Sequence, residues 1–159
     1  MIRGTVTYIA PPDVLARELK SGLKEGLQAM IEHWHSHMLP GHFERQAHAQ
    51  YGYKNRSEKW IKRKLYKTGQ AVDLVFTGRL KRDAIRSIRI SGTANKAQGV
   101  LDLPKYAYQT RRYATRQAPN KAAEIIAITD AEMTQLAVEL DRRLGETLNK
   151  TRETRTLTP

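Results

Sequence analysis

Cysteine is absent from the 159 residues, and this absence excludes disulfides, thiolate zinc sites and cysteine nucleophiles. Long apolar runs are missing as well, so the sequence predicts no membrane-spanning helix. The opening MIRGTVTYIAPP lacks the apolar stretch of a signal peptide. We expect a soluble protein that is made and used in the cytosol or inside a particle, with no membrane partner.

Catalytic motifs are equally scarce. The sequence contains neither a GxSxG nucleophile elbow nor a P-loop. Between residues 51 and 121 there are only four acidic residues, and none lies in a motif with a recognisable base or nucleophile. We therefore predict a protein that is not an enzyme, with no catalytic, cofactor-binding or metal-binding residue and no cofactor. The four acidic residues are Glu58, Asp73, Asp83 and Asp102.

All five histidines lie between positions 33 and 48. His33 and His37 have the i, i+4 spacing with which one helix turn can hold a metal, but the sequence lacks the HExxH pattern. On a helical wheel His35 falls on the other side of the apolar stripe, so the three cannot share a site within one chain. We interpret them as boundary residues; a hydrolase or nuclease that uses His33, His37 and His42 is the third hypothesis.

Positive charge is concentrated in the middle of the chain, whose net charge is +12. Residues 51 to 121 hold 18 Lys or Arg against four Asp or Glu, whereas the two flanking segments are close to neutral. An excess confined to one stretch favours a surface that meets a polyanion or an acidic partner over a general solubility effect.

The densest basic segment runs from residue 54 to residue 67, with Trp60 and Tyr66 among the cations. This composition suits phosphate contact with occasional stacking, and it equally suits a solvated arm or docking on an acidic neighbour. We favour docking and leave DNA contact open; no DNA-reading motif frames the segment. The predicted partner-facing or DNA-facing patch consists of Lys54, Arg56, Lys59, Lys62, Arg63, Lys64 and Lys67.

Two long helices dominate the predicted elements. Apolar residues recur at helical spacing from Leu15 to Met38, and Pro40 and Gly41 end that pattern. Near the C-terminus, Thr129 and Glu132 have the spacing of a capping box and begin the second helix.

The remaining predicted elements are short. Alternation predicts a strand over residues 2–8, a hairpin with strands near 87–91 and 98–103, and a strand over 123–128. Thr77 and Gly78 open a short helix that Leu80 anchors to the core.

These elements predict an α+β fold, a small antiparallel sheet of about four strands packed against the N-terminal and C-terminal helices. Residues 1–148 form one domain in this prediction, in which residues 42–73 are a basic, aromatic-containing loop or arm. Residues 149–159 are predicted to be a flexible tail.

An ordered string of short motifs resembles the tail-completion, or neck, proteins of tailed bacteriophages, also known as virion morphogenesis proteins. The most diagnostic block is LVFTGRL at 74–80, followed by the Ser-Ile pair at 87–88. The other matching pieces are HFERQ at 42–46, Trp60, Lys67, YAYQ at 106–109 and TDAEMTQLAVELDRRL at 129–144. The resemblance covers roughly residues 5 to 148.

This resemblance implies a non-enzymatic structural subunit that forms a homo-oligomeric ring, a hexamer by analogy, at the head-to-tail junction of a virion. Its implied partners are head-tail connector, tail terminator or tail proteins, together with DNA in the exit channel. The implied location is the virion neck or tail, and the host cytoplasm during assembly. The alternative is a free nucleic-acid-binding protein without sequence specificity, which the basic middle favours.

Overall fold

The computed structural model describes residues 4–9, 12–53, 56–75, 77–86, 88–108, 112–113, 116–117, 120–150 and 152–157. Helices predominate among them. The chain divides into unit 1, residues 1–31, 90–98 and 135–159, and unit 2, residues 32–89 and 99–134. The helices are α1 (Pro12–His33), α2 (Ala47–Gln50), α3 (Glu58–Thr68), α4 (Arg79–Arg86), α5 (Lys105–Tyr108), α6 (Lys121–Ile125) and α7 (Asp130–Lys150); the strands are β1 (Gly4–Ile9), β2 (Ile88–Thr93), β3 (Lys96–Leu101), β4 (Arg112–Tyr113), β5 (Arg116–Gln117) and β6 (Arg152–Leu157).

Unit 1 is built on close packing between α1 and α7. Gly22 and Gly26 are the buried residues of α1. A Cβ atom on Gly22 would lie 2.8 Å from Cγ2 of Thr147, and one on Gly26 would lie 2.7 Å from Cδ1 of Leu140. The two glycines therefore let the helices approach closely, and the order of the contacts shows that α1 and α7 run antiparallel.

Unit 2 begins near the C-terminal end of α1, where the helix type changes. A π-helical turn, Trp34–Met38, is followed by a 3-10 turn, Leu39–Phe43, with Pro40 at its start. The side chains of Trp34, Met38, Leu39 and Phe43 are all buried. The prediction of a helical segment that reaches Met38 is thus confirmed. The change of helix type directs successive apolar side chains into the core of unit 2.

The predicted arm at residues 42–73 contains α3 and supplies buried residues to unit 2. Ser57 caps α3 by accepting a hydrogen bond from the backbone N–H of Trp60, and Gly69 ends it with φ of 67°. Tyr53, Lys64 and Val72 are buried. The segment is therefore packed into unit 2 at these points, because its aromatic and long aliphatic parts cover core surface.

The strand predicted over residues 123–128 is wrong, since α6 occupies residues 121–125. The side chain of Asn120 accepts hydrogen bonds from the N–H groups of Ala122 and Ala123 and so caps α6. Ala122 and Ile125 are buried at i, i+3 spacing. A cap and the high helix propensity of alanine outweigh the β propensity of the Ile-Ile pair.

The capping box at the start of α7 is confirmed. The backbone N–H of Thr129 donates to Oε2 of Glu132 at 2.9 Å, and the N–H of Glu132 donates to Oγ1 of Thr129 at 3.2 Å. Two otherwise unpaired donors at the helix start are satisfied in this way.

The predicted sheet of about four strands is also wrong. Each sheet in the described part of the chain has two strands, and the pairs are β1–β6, β2–β3 and β4–β5. The predicted hairpin is confirmed as β2–β3, with a two-residue turn at 94–95. Since residues 121–125 are helical and β1 pairs with β6, neither extends the hairpin into a larger sheet.

Residues 152–157 form β6, in a segment where the sequence alone indicates a polar tail. In the antiparallel register of this pair, Gly4 lies opposite Leu157 and Ile9 opposite Arg152. Two of the six residues of β6, Thr154 and Thr156, are of a type that is enriched in strands.

Candidate functional site

The structure separates the seven residues of the predicted basic patch into different environments. Lys54 lies outside the described residues. Arg56 and Lys64 point into unit 2, with side-chain exposure of 8% for Arg56 and residue exposure of 1% for Lys64. The remaining four are exposed: Lys59, Lys62, Arg63 and Lys67. The predicted patch therefore consists of an internal pair, Arg56 and Lys64, and an exposed group of four cations on α3.

Arg56 holds together two acidic residues that are distant in sequence. Its Nη2 donates to Oε2 of Glu124 at 2.5 Å, and its Nε lies 3.6 Å from Oδ1 of Asp73. Both carboxylates are nearly buried. A guanidinium placed between two carboxylates suits a low-dielectric site, because its planar fork can donate to both at once.

Lys64 is enclosed beside the same cluster. Its Nζ donates to the backbone carbonyl of Val72 and, at 3.2 Å, to that of Asp73, and it lies 4.7 Å from the centroid of the Trp60 ring. Burial lowers the pKa of Lys64 to about 8, although the Asp73 carboxylate opposes the shift. Carbonyl oxygens and an aromatic face therefore replace water around this ammonium group.

A buried aromatic and histidine cluster lies at the other end of the segment. His42 is 0% exposed, and its ring stacks on Tyr51 at 3.7 Å between centroids. Its Nδ1 is 2.5 Å from the hydroxyl oxygen of Tyr53 and 3.2 Å from the carbonyl oxygen of Glu124. Since a carbonyl only accepts, the latter contact requires the proton on Nδ1. Burial lowers the pKa of His42 and keeps its ring neutral.

The two tyrosines complete this cluster. The Tyr51 hydroxyl donates to Oε1 of Glu132 at 2.6 Å, so the capping-box carboxylate also anchors an aromatic ring. Burial raises the pKa of Tyr51 and of Tyr53, and the Glu132 carboxylate acts in the same direction. Both phenols therefore stay protonated and act as hydrogen-bonding groups rather than as bases.

The other histidines have separate contacts. The rings of His33 and His37 stack at 4.4 Å, and Nε2 of His35 lies 3.0 Å from the carbonyl oxygen of Ala84. His48 Nδ1 lies 3.2 Å from Oδ2 of Asp73. Within the described residues, no group of three or more His, Cys, Asp or Glu side chains is placed to hold a metal ion.

The outer surface of α3 is the second candidate site. Trp60, Lys64 and Thr68 recur every four residues and form the inner face of the helix. At about 100° per residue, the exposed cations and Tyr66 fall in an arc of about 140° that points away from that face. We call this set the basic arc: Lys59, Lys62, Arg63, Tyr66 and Lys67.

Beside the basic arc, Ile61 and Leu65 lie one turn apart and form an apolar flank. Leu65 is 51% exposed and Tyr66 92% exposed. These two exposed side chains leave apolar surface in water, and contact with another molecule would bury that surface. Among the described residues, the four cations of the basic arc form no ion pair.

The predicted structural motif lies next to the end of α3. Thr77 Oγ1 is 3.5 Å from the backbone nitrogen of Arg79, Gly78 has φ of 74°, and Leu80 is buried. A φ of this sign favours glycine and makes the tight entry into α4. An open cleft of about 600 Å³ lies here, lined by Lys67, Thr68, Gln70, Val75, Thr77 and Gly78.

Sequence reasoning missed the internal roles of Arg56 and Lys64, and it missed Glu124 as the long-range partner of Arg56. One signal was present for Lys64, which follows Trp60 by four residues and precedes Thr68 by four. That spacing places the lysine on the aromatic face of a helix. For Arg56 no local signal existed, since Glu124 is 68 residues away.

No helix in the described part of the chain has the length and apolar character needed to cross a membrane. No family model, curated protein or solved structure matches the chain. The resemblance to phage neck proteins therefore stays a prediction that depends on the motif string.

Proposed function

We propose that this protein is a structural subunit of a phage neck or tail-completion ring, which joins head to tail and continues the DNA exit channel. The motif string from residue 42 to residue 144 supports the proposal. The internal polar groups agree with it, because His42, Arg56 and Lys64 are enclosed and bonded to partners within unit 2.

The observation that carries the proposal is the apolar flank of α3. Ile61 and Leu65 would be buried at little cost by another protein, and each leaves apolar area in water without one. A ring requires heterologous contacts, in which one surface of a subunit meets a different surface of the next. The apolar flank is our candidate for one of these two surfaces, and the neighbours are further copies or adjacent head-tail and tail proteins.

Light scattering coupled to size-exclusion chromatography tests the proposal directly. We expect the full chain to form a closed oligomer, alone or when mixed with portal-side and tail-side proteins encoded near its gene. Electron microscopy of that fraction should show rings. A chain that stays monomeric at high concentration and joins no virion complex would refute the proposal.

The second candidate is a free nucleic-acid-binding protein, which the four exposed cations of α3 favour. Oligomeric state separates the two candidates. A monomer that binds nucleic acid supports the second, whereas a ring supports the first whether or not it binds DNA.

A further inference from the structure

The basic arc of α3 has the charge and shape of a surface for a regular polyanion. Its cations occupy positions 59, 62, 63 and 67, which spans about 12 Å along the helix at 1.5 Å per residue. Each is exposed and forms no ion pair among the described residues, so none needs to break an existing contact before binding.

The arc is also free of aliphatic side chains. Ile61 and Leu65 lie to one side of it, and the only acidic residue of α3, Glu58, lies near Leu65 on the same wheel. A protein interface has an apolar centre surrounded by polar residues, whereas a surface for nucleic-acid phosphates is continuous in positive charge. The division of α3 into two faces therefore assigns different partners to them.

We infer that the basic arc binds the phosphate backbone of duplex DNA without sequence specificity, through Lys59, Lys62, Arg63 and Lys67. Tyr66 lies between Lys62 and Lys59 on the helical wheel and is exposed, so its hydroxyl can donate to a phosphate oxygen. Duplex is favoured over single-stranded nucleic acid because the arc is convex and carries one exposed aromatic ring. Single-strand binders use a groove with a succession of stacking platforms.

This inference names a partner for the helix on which the proposed function rests, but it is tested on the isolated full chain. Failure to bind DNA would leave the ring proposal standing, and failure to form a ring would leave DNA binding standing. The two results are therefore independent.

Fluorescence anisotropy with a labelled 20-base-pair duplex of arbitrary sequence is the test, repeated over a series of salt concentrations. The variant K59Q/K62Q/R63Q/K67Q should bind at least about tenfold more weakly at low salt. The slope of log affinity against log salt should become shallower by about 3 to 4, since each phosphate contact contributes about 0.9. Circular dichroism checks that the variant keeps its helices and melting temperature.

The matched control is R17Q/K20Q/K24Q/K150Q, which removes the same charge from four exposed residues of α1 and α7. It should retain most of the salt slope, because its residues lie outside the arc. Equal losses in both variants would show a general net-charge effect and overturn the inference. Absence of duplex binding by the wild-type chain at low salt would do the same.

Two competitors decide the class of partner. Single-stranded DNA of the same length should compete less well than duplex, and polyglutamate of matched charge should compete poorly. Polyglutamate that competes as well as duplex would identify the arc as a docking surface for acidic protein, against the inference.

Tyr66→Phe should lower duplex affinity by a few-fold, through the lost hydroxyl; unchanged affinity would remove Tyr66 from the contact.

Discussion

Lys64 is a lysine whose ammonium group is held inside unit 2 by backbone carbonyls and the Trp60 ring. Desolvation disfavours the charged form of the group, and its pKa falls from 10.5 to about 8. A lowered pKa of a basic group makes the free energy of unfolding increase with pH between the folded and unfolded pKa values. Between pH 8 and 10.5 the unfolded chain binds a proton that the folded chain does not, so the Lys64 contribution to stability increases with pH over that range and is lost as pH falls toward 8.

Comparison with Lys64→Met tests this sign. We expect the wild-type free energy of unfolding, minus that of Lys64→Met, to increase by up to about 3 kcal/mol between pH 8 and 10.5. Tyr51 and Tyr53 titrate in both proteins and cancel in the difference. Urea unfolding at a series of pH values provides the measurement, and a difference that stays flat would contradict the burial of the ammonium group.

Arg56 shows that the contribution of an ion pair to stability depends on how far the pair is buried. Arg56→Gln removes the partner of two nearly buried carboxylates, and we expect it to lower the free energy of unfolding by about 3 kcal/mol. Chemical denaturation of single and double variants with Glu124→Gln should show a coupling energy, because the two side chains contact each other.

The matched control is Arg89→Gln. Arg89 also binds a carboxylate, Asp102, at 2.7 Å, but both side chains are more than half exposed. Water screens this pair, so its loss should cost less than about 1 kcal/mol. Equal effects of the two substitutions would mean that Arg56 is solvated in solution.

At the scale of elements, the contact between α1 and α7 depends on two buried glycines, Gly22 and Gly26. Gly22→Ala would place a Cβ 3.1 Å from Cβ of Thr147 and closer still to its methyl group, and a β-branched side chain has little room to move. We expect a net loss of about 1 kcal/mol, since overpacking outweighs the gain in helix propensity. Thermal unfolding followed by circular dichroism measures it.

Gly145→Ala in α7 is the control for that substitution. A Cβ at residue 145 meets no atom within 4 Å, so only the propensity term acts. Stability should rise by up to about 1 kcal/mol. If Gly22→Ala stabilised the protein as well, the close approach of α1 and α7 would be absent in solution.

Elements with a strong local signal were predicted correctly from the sequence. Elements in which helix and strand propensities compete were not. The capping box of Thr129 and Glu132 and the β2–β3 hairpin needed only local chemistry. Residues 121–126 carry two alanines and the β-branched pair Ile125 and Ile126, and the cap from Asn120 favours a helix over residues 121–125. The strand predicted over residues 123–128 is therefore absent, and the pairing of β1 with β6 accounts for the rest of the difference from the predicted sheet.

At the scale of the whole molecule, α3 presents two outer surfaces of different chemistry. The apolar flank suits contact with another protein subunit, and the basic arc suits phosphate. A variant that alters one surface should therefore leave the function of the other intact.

The variant I61E/L65E tests this separation. It should prevent assembly of the oligomer, because charged side chains cannot be buried at a subunit contact without partners. Light scattering measures the oligomer. Fluorescence anisotropy measures binding of duplex DNA, which we expect to weaken only a few-fold because of the added negative charge. Val138→Glu, on an exposed apolar residue of α7, is the control and should assemble normally. Normal assembly of I61E/L65E would place the subunit contact elsewhere.

The sequence by itself determined where the long helices lie, where the chain turns and which stretch holds the excess positive charge, because periodicity, caps and charge are local properties. Only the tertiary structure decided which of those cations face the solvent. Lys62 and Lys64 are two residues apart in the same basic run, yet one is exposed and the other is enclosed by Val72, Asp73 and Trp60. Burial depends on what the rest of the chain packs against each side chain, and partners such as Glu124 reach Arg56 from 68 residues away.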